Sequence, residues 1–109
     1  MKKRVVRTGL AETDLLEHVD YLANDNINAA SRLIEAVEIA FEQLSQMPEI
    51  GSIREFSNPR LSCVRMWPVP KFPRYLIFYQ VAEDSIRILR VLHGARDIPA
   101  LFDDECGDT

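Results

Sequence analysis

Apolar residues recur at helical spacing over two stretches in the first half of the chain. Ala11, Leu15, Val19 and Leu22 fall at intervals of four, four and three, which marks one stripe of an α-helix, with Leu16 and Ala23 widening it. Thr8 stands where an N-cap belongs, and Glu12 lies near the positive end of the helix dipole. Asn24, Asp25 and Asn26 favour turns and caps, so the helix should end there. A longer helix follows, capped by either Asn26 or Asn28. Its stripe is Ala30, Leu33, Ile34, Val37, Phe41 and Leu44, and the small Ala29, Ala30, Ala36 and Ala40 admit a close neighbour. Pro48 and Gly51 stop it. Two helices joined by a short polar turn make an antiparallel hairpin.

The period changes on either side of this hairpin. Val5 and Val6 suggest a short first strand. After Gly51, residues 53 to 56 suggest another, and Asn58-Pro59 a turn. Leu61, Cys63, Arg65 and Trp67 alternate with Ser62, Val64 and Met66, which fits a strand. Pro68, Pro70 and Pro73 should interrupt it, because proline cannot donate to a ladder. Tyr75-Leu76-Ile77-Phe78-Tyr79 is a nearly continuous apolar run, as in a strand covered on both faces. Residues 83 to 85 form a turn, and 86 to 93 a last strand with Ile86, Ile88, Arg90 and Leu92 on one side. The expected fold is α+β, in the order β-α-α-β-β-β. A helical hairpin packs on one face of a small, mainly antiparallel curved sheet. The helices cover one sheet face only, so the other should expose apolar surface of the kind that meets a partner.

Composition supports a folded domain: 47% hydrophobic and 28% charged is ordinary for a globular chain. One domain over residues 1–102 is expected, followed by a short acidic tail over 103–109. No apolar run approaches membrane-spanning length, and Val5-Val6 is no signal-peptide core, so a cytoplasmic protein without membrane association is expected. Cys63 and Cys106 form no CxxC pair. His18 and His93 lie far apart, so no metal site and no cofactor are expected. Net charge is −4, unevenly spread. Residues 8–50 carry nine acids against Arg32 alone, whereas residues 51–96 carry eight basic groups against Glu55, Glu83 and Asp84. Such polarity can orient an approaching partner.

The local sequence is more specific than the order of elements. Asp25-Asn26, then Ala29-Ala30 and Arg32-Leu33-Ile34, is similar to the turn and second-helix opening of the ParE branch of the ParE/RelE toxins. Pro48-Glu49-Ile50-Gly51 resembles that family's helix exit. Val64-Arg65-Met66-Trp67-Pro68-Val69, Phe72-Pro73-Arg74-Tyr75 with the apolar run after it, and Ile88-Leu89-Arg90-Val91-Leu92-His93-Gly94-Ala95-Arg96-Asp97-Ile98 continue the resemblance. It spans residues 10 to 102. It implies the ParE/RelE toxin fold and the role of toxin in a type II toxin–antitoxin pair. A cognate antitoxin, ParD-like or related, would neutralise it, and operator DNA would be met only through that antitoxin. For the ParE branch the implied target is DNA gyrase, and hence replication. For the RelE branch it is ribosome-dependent mRNA cleavage.

Between these two, the residues favour binding without catalysis. RNA cleavage requires proton transfer and stabilisation of phosphorane charge. Arg65, Arg74, His93 and Arg96 are the candidates if the chain is such a ribonuclease. However, Lys71 is its only lysine after residue 3, and an acidic chain suits phosphate binding poorly. Arg65, Arg74, Arg90, His93 and Arg96 are therefore read as candidates for toxicity and target binding, and Trp67, Phe72, Tyr75 and Leu92 for antitoxin contact. Arg65 and Arg90 interrupt apolar strands, so they should lie on the open face or pair with acids. Glu12, Asp14, Glu17 and Asp20 read as a solvated helix face, with His18 a surface residue among them. Tyr75 and Tyr79 are equally sheet packing, and His93 a strand-end cap.

Overall fold

The computed structural model describes residues 2–55, 59–95 and 97. Strand β1 (Arg4–Arg7) leads into helix α1 (Gly9–Asp25) and helix α2 (Ile27–Gln46). Then come β2 (Ser52–Arg54), a 3-10 turn at Pro59–Leu61, β3 (Val64–Val69), β4 (Phe72–Val81) and β5 (Ser85–His93). The sheet order is β1-β5-β4-β3-β2. β1 runs parallel to β5, and the other three pairings are antiparallel. The expected α+β layout holds, with four strands after the hairpin because β2 forms at 52–54. The acidic tail over 103–109 and Arg96 lie outside the described residues.

Both helix starts follow from capping chemistry. The Thr8 side chain accepts from Ala11 N at 3.2 Å, and Asn26 Oδ1 accepts from Asn28 N and Ala29 N at 3.0 and 3.1 Å. Asn26 also ends α1, its N–H donating to Leu22 O at 2.8 Å. The stripes are narrower than the pattern implies, since Leu16 and Ile34 are exposed while Ala36 and Ala40 are buried. Small residues thus form the seam of α2 that lies against the rest of the fold.

Three expectations about the strands change. Residues 61–63 form no strand: Cys63 is exposed with φ 60, a left-handed residue that turns the chain before β3. The prolines do not break the ladder; they shape a single hairpin. β3 runs through Pro68, Val69 pairs with Phe72, and Pro70-Lys71 is the two-residue turn. β2 reaches only Met66, so beyond it the outer edge of β3 has no ladder for a proline to break.

Nor is the second sheet face open. Tyr75, Ile77, Tyr79, Ile86, Ile88 and Val91 join Leu33, Val37 and Leu44 in the core beneath the helices. On the opposite face Val64, Phe78 and Leu92 form a second cluster, each at most 3% exposed. Leu61, Met66, Leu76 and Leu89 pack against it. Gln80 Nε2 donates to Ser62 O at 3.0 Å, tying the segment before β3 to β4. Most of the large exposed apolar residues among those described lie on the helices instead, including Leu10, Leu16, Tyr21, Ile27 and Ile39.

Candidate functional site

β1 covers β5 only over Ser85–Ile88. Beyond that point the chain has turned into α1, and α1 side chains continue the ladder that β1 leaves unfinished. Thr8 Oγ1 donates to Ile88 O at 2.8 Å and reaches Leu89 O at 3.1 Å. Asp14 Oδ2 accepts from Val91 N at 3.1 Å, and His18 Nε2 lies 2.8 Å from Val91 O. A carbonyl can only accept, so Nε2 carries the proton in that bond. Asp97 Oδ2 then accepts from His93 N at 2.7 Å and lies 3.8 Å from His18 Nε2. A strand edge that would otherwise face solvent is satisfied by side chains.

Asp14 and His18 are accordingly 7% and 5% exposed. The solvated-face reading fails for them because they lie on the side of α1 that meets β5. Asp14 also receives Arg90 in a two-point pair, Nε to Oδ2 at 2.7 Å and Nη2 to Oδ1 at 2.9 Å. Arg90 is therefore paired with an acid, one of its two expected settings. The sequence signal was present: positions 11, 14, 15, 18, 19 and 22 share one helical face, and two of them are polar. An arginine inside an apolar strand needs such a partner.

The remaining candidates fall into separate places. Tyr75 is 7% exposed, with its ring 4.9 Å from that of His18, 5.2 Å from His93 and 6.4 Å from Phe72, all edge-on. Trp67 and Phe72 pack half-buried against the helix-side core, and Trp67 Nε1 reaches Gln43 Oε1 at 3.4 Å. Leu92 is buried in the opposite cluster. Arg65 faces the helix side, opposite Tyr79, and its Nη1 donates to Glu49 O and Gly51 O at 3.2 and 2.7 Å. Arg74 is exposed and points to the other face, since its neighbour Tyr75 belongs to the helix-side core. Arg65 and Arg74 are thus on opposite sides of the sheet, and His93, paired with Tyr75, is on the side away from Arg74. Arg96 lies outside the described residues. Among the described residues, no group of three His, Cys, Asp or Glu side chains could hold a metal.

The charge polarity expected from the sequence has a structural form. Strand alternation places Arg4, Arg54, Arg74 and Arg87 on the face away from the helices, and all four are exposed. Among the described residues none of them is in an ion pair. The acids cluster on the helices, where Arg7 is held by Glu38 at 2.7 Å and Glu12 at 3.5 Å and sits 4.7 Å above the Phe41 ring.

The loop after α2 is fixed by one phenol. Tyr79 Oη donates to Pro48 O at 2.8 Å and accepts from Gly51 N at 2.9 Å. Burial raises the Tyr79 pKa above 10.0, outweighing the Gly51 hydrogen bond and Arg65 charge that lower it. A raised pKa means that this phenol's contribution is complete below the unfolded value and is lost as pH rises through the folded one. Denaturant midpoints should therefore fall as pH rises above about 10, and Tyr79→Phe should flatten that fall while lowering stability near neutrality. An unchanged alkaline slope in Tyr79→Phe would show that another group governs it.

The molecule is a small α+β sheet under a helical hairpin, with an acidic helical side and a basic sheet side. Residues 5–98 match the family described as the ParE toxin of the type II toxin–antitoxin system, parDE, and the chain belongs to it. A relative, Toxin RelE2 of Caulobacter vibrioides, is 31% identical over 93 residues, covering 85% of this chain and 97% of the relative. Among solved structures, one titled Chromosomal ParDE TA system from P. aeruginosa superposes with TM-score 0.68 at 19% identity, covering 84% of this chain and 96% of that one. That likeness bears out the expected fold.

Proposed function

We propose that the chain arrests growth by binding DNA gyrase in the cytoplasm, and that a ParD-like antitoxin encoded beside it neutralises it. The observation that carries binding over cleavage is the separation of Arg65 and His93 from Arg74 by the sheet. RNA cleavage needs its acid, base and charge-stabilising groups around one phosphate. Arg65 is spent on loop carbonyls and Arg90 on Asp14, which leaves Arg74 as the exposed arginine of the candidate set among the described residues. Trp67 and Phe72 offer partly exposed rings to an antitoxin, whereas Tyr75 and Leu92 support the fold from within. Among the described residues no helix is long and apolar enough to cross a membrane.

Expression of the chain alone should stop growth, and co-expression with the adjoining antitoxin should restore it. Purified toxin should block supercoiling by gyrase, and Arg74→Glu should weaken that block by about tenfold or more. Normal supercoiling at high toxin excess, with mRNA cut in ribosome-dependent fashion, would replace the gyrase reading with the RelE one.

A further inference from the structure

The outer flank of α2 and the β3–β4 turn enclose a cleft of about 220 Å³, lined by Arg32, Glu35, Ala36, Ile39, Lys71 and Phe72. Its volume suits one large apolar side chain. Ile39 is 56% exposed there, and Ala36 and Phe72 add apolar wall. Two cations and one acid stand at the rim. Among the described residues neither Arg32 nor Lys71 has a carboxylate within ion-pair distance.

Lys71 supplies an independent observation. It is the second residue of the two-residue turn and has φ 72. After a proline, that position belongs to glycine or asparagine, because a Cβ is disfavoured in the left-handed region. The turn by itself would be better served by glycine, yet it carries the one lysine beyond the N-terminal segment. A side chain kept in an unfavourable backbone conformation beside a cleft points to a task outside the fold.

We infer that this cleft seats an apolar side chain from an acidic segment of the antitoxin, whose carboxylates meet Arg32 and Lys71. The inference rests on the antitoxin reading above and adds the chemistry of the contact. Acidic rather than basic chemistry follows from the net positive rim. An apolar anchor flanked by carboxylates matches a lining that combines Ile39 and Phe72 with two cations. An anchor seated in a desolvated pocket is a common form of interface hot spot, and charge-assisted contacts at its rim add strength and orientation.

The test uses the whole chain and the purified product of the adjoining reading frame, titrated calorimetrically against wild type, Lys71→Gly and Arg32→Gln. Lys71→Gly should melt at the same temperature as wild type or higher, because it relieves the turn. It should nevertheless bind the antitoxin at least about fivefold more weakly, and Arg32→Gln should do likewise. Both losses should shrink as salt rises. Wild-type affinity in both variants overturns the cleft proposal and leaves the antitoxin reading standing. Absence of binding by the wild-type chain overturns that reading and the cleft proposal with it. A wild-type chain that dimerises alone, and becomes monomeric as Lys71→Gly, assigns the cleft to a second copy and also overturns the proposal.

Discussion

Asp14→Ala should lower stability by about 2–4 kcal/mol, measured by denaturant unfolding near neutral pH. The substitution removes more than one ion pair. It leaves the Arg90 guanidinium without its carboxylate and the Val91 N–H without an acceptor at a buried strand edge. The Arg90 side chain is 30% exposed, so water can reach part of the freed charge, which keeps the cost below that of a fully buried pair. Asp14→Asn should fall between, since an amide oxygen can still accept from Val91. Asp20→Ala on the same helix removes an exposed carboxylate and should change stability by less than about 0.5 kcal/mol. If Asp14→Ala matched Asp20→Ala, the closure of β5 by α1 would have no energetic weight.

Gly51→Val should be comparably damaging, for a steric reason. A Cβ at residue 51 would stand 2.6 Å from Tyr79 Oη and 2.8 Å from Met66 O. The phenol could move only by giving up Pro48 and Gly51, while the Met66 carbonyl belongs to β3 and is held in the sheet. Overpacking and the lost hydrogen bonds together should cost about 3 kcal/mol. Gly51→Ala should show most of this loss, because the conflicting atom is the Cβ itself. In that background Tyr79→Phe should cost less than it does alone, because it removes the atom in closest conflict. Strict additivity of the two changes, measured by equilibrium unfolding, would mean that the clash is absorbed elsewhere.

Both positions show what the sequence could express. The helices were legible because their caps and stripes are local: Thr8, Asn26 and the spacing of Leu33, Val37 and Leu44 need no knowledge of the rest. β4 and β5 were legible as apolar runs, and the resemblance across residues 10 to 102 pointed to the toxin family. Asp14 and His18 were misread because an acid on a helix is assigned to water unless its partner is known, and theirs is more than seventy residues away. The prolines were misread because their effect depends on which strand edge has a neighbour, a property of the sheet and not of the segment. The open face was inferred from two-sided apolar strands, but burial of Phe78 and Leu92 depends on how the rest of the chain lies against them. Of the candidate site, the arginines were found by type alone. Their division between opposite faces required the register of β3, β4 and β5.

The position of β5 has a kinetic meaning. Among the described strands it stands second in the sheet, between β1 and β4, yet it is the last in chain order. Of the described strands β1 leaves the ribosome first, and it must wait about eighty residues for β5, its neighbour among them, while α1 waits as long for the edge it completes. Pairing of such distant segments is slow and gains nothing from local contacts. The native sheet therefore forms only after nearly all of the described chain has been synthesised. A nascent chain carries the helical hairpin well before it carries the finished basic face.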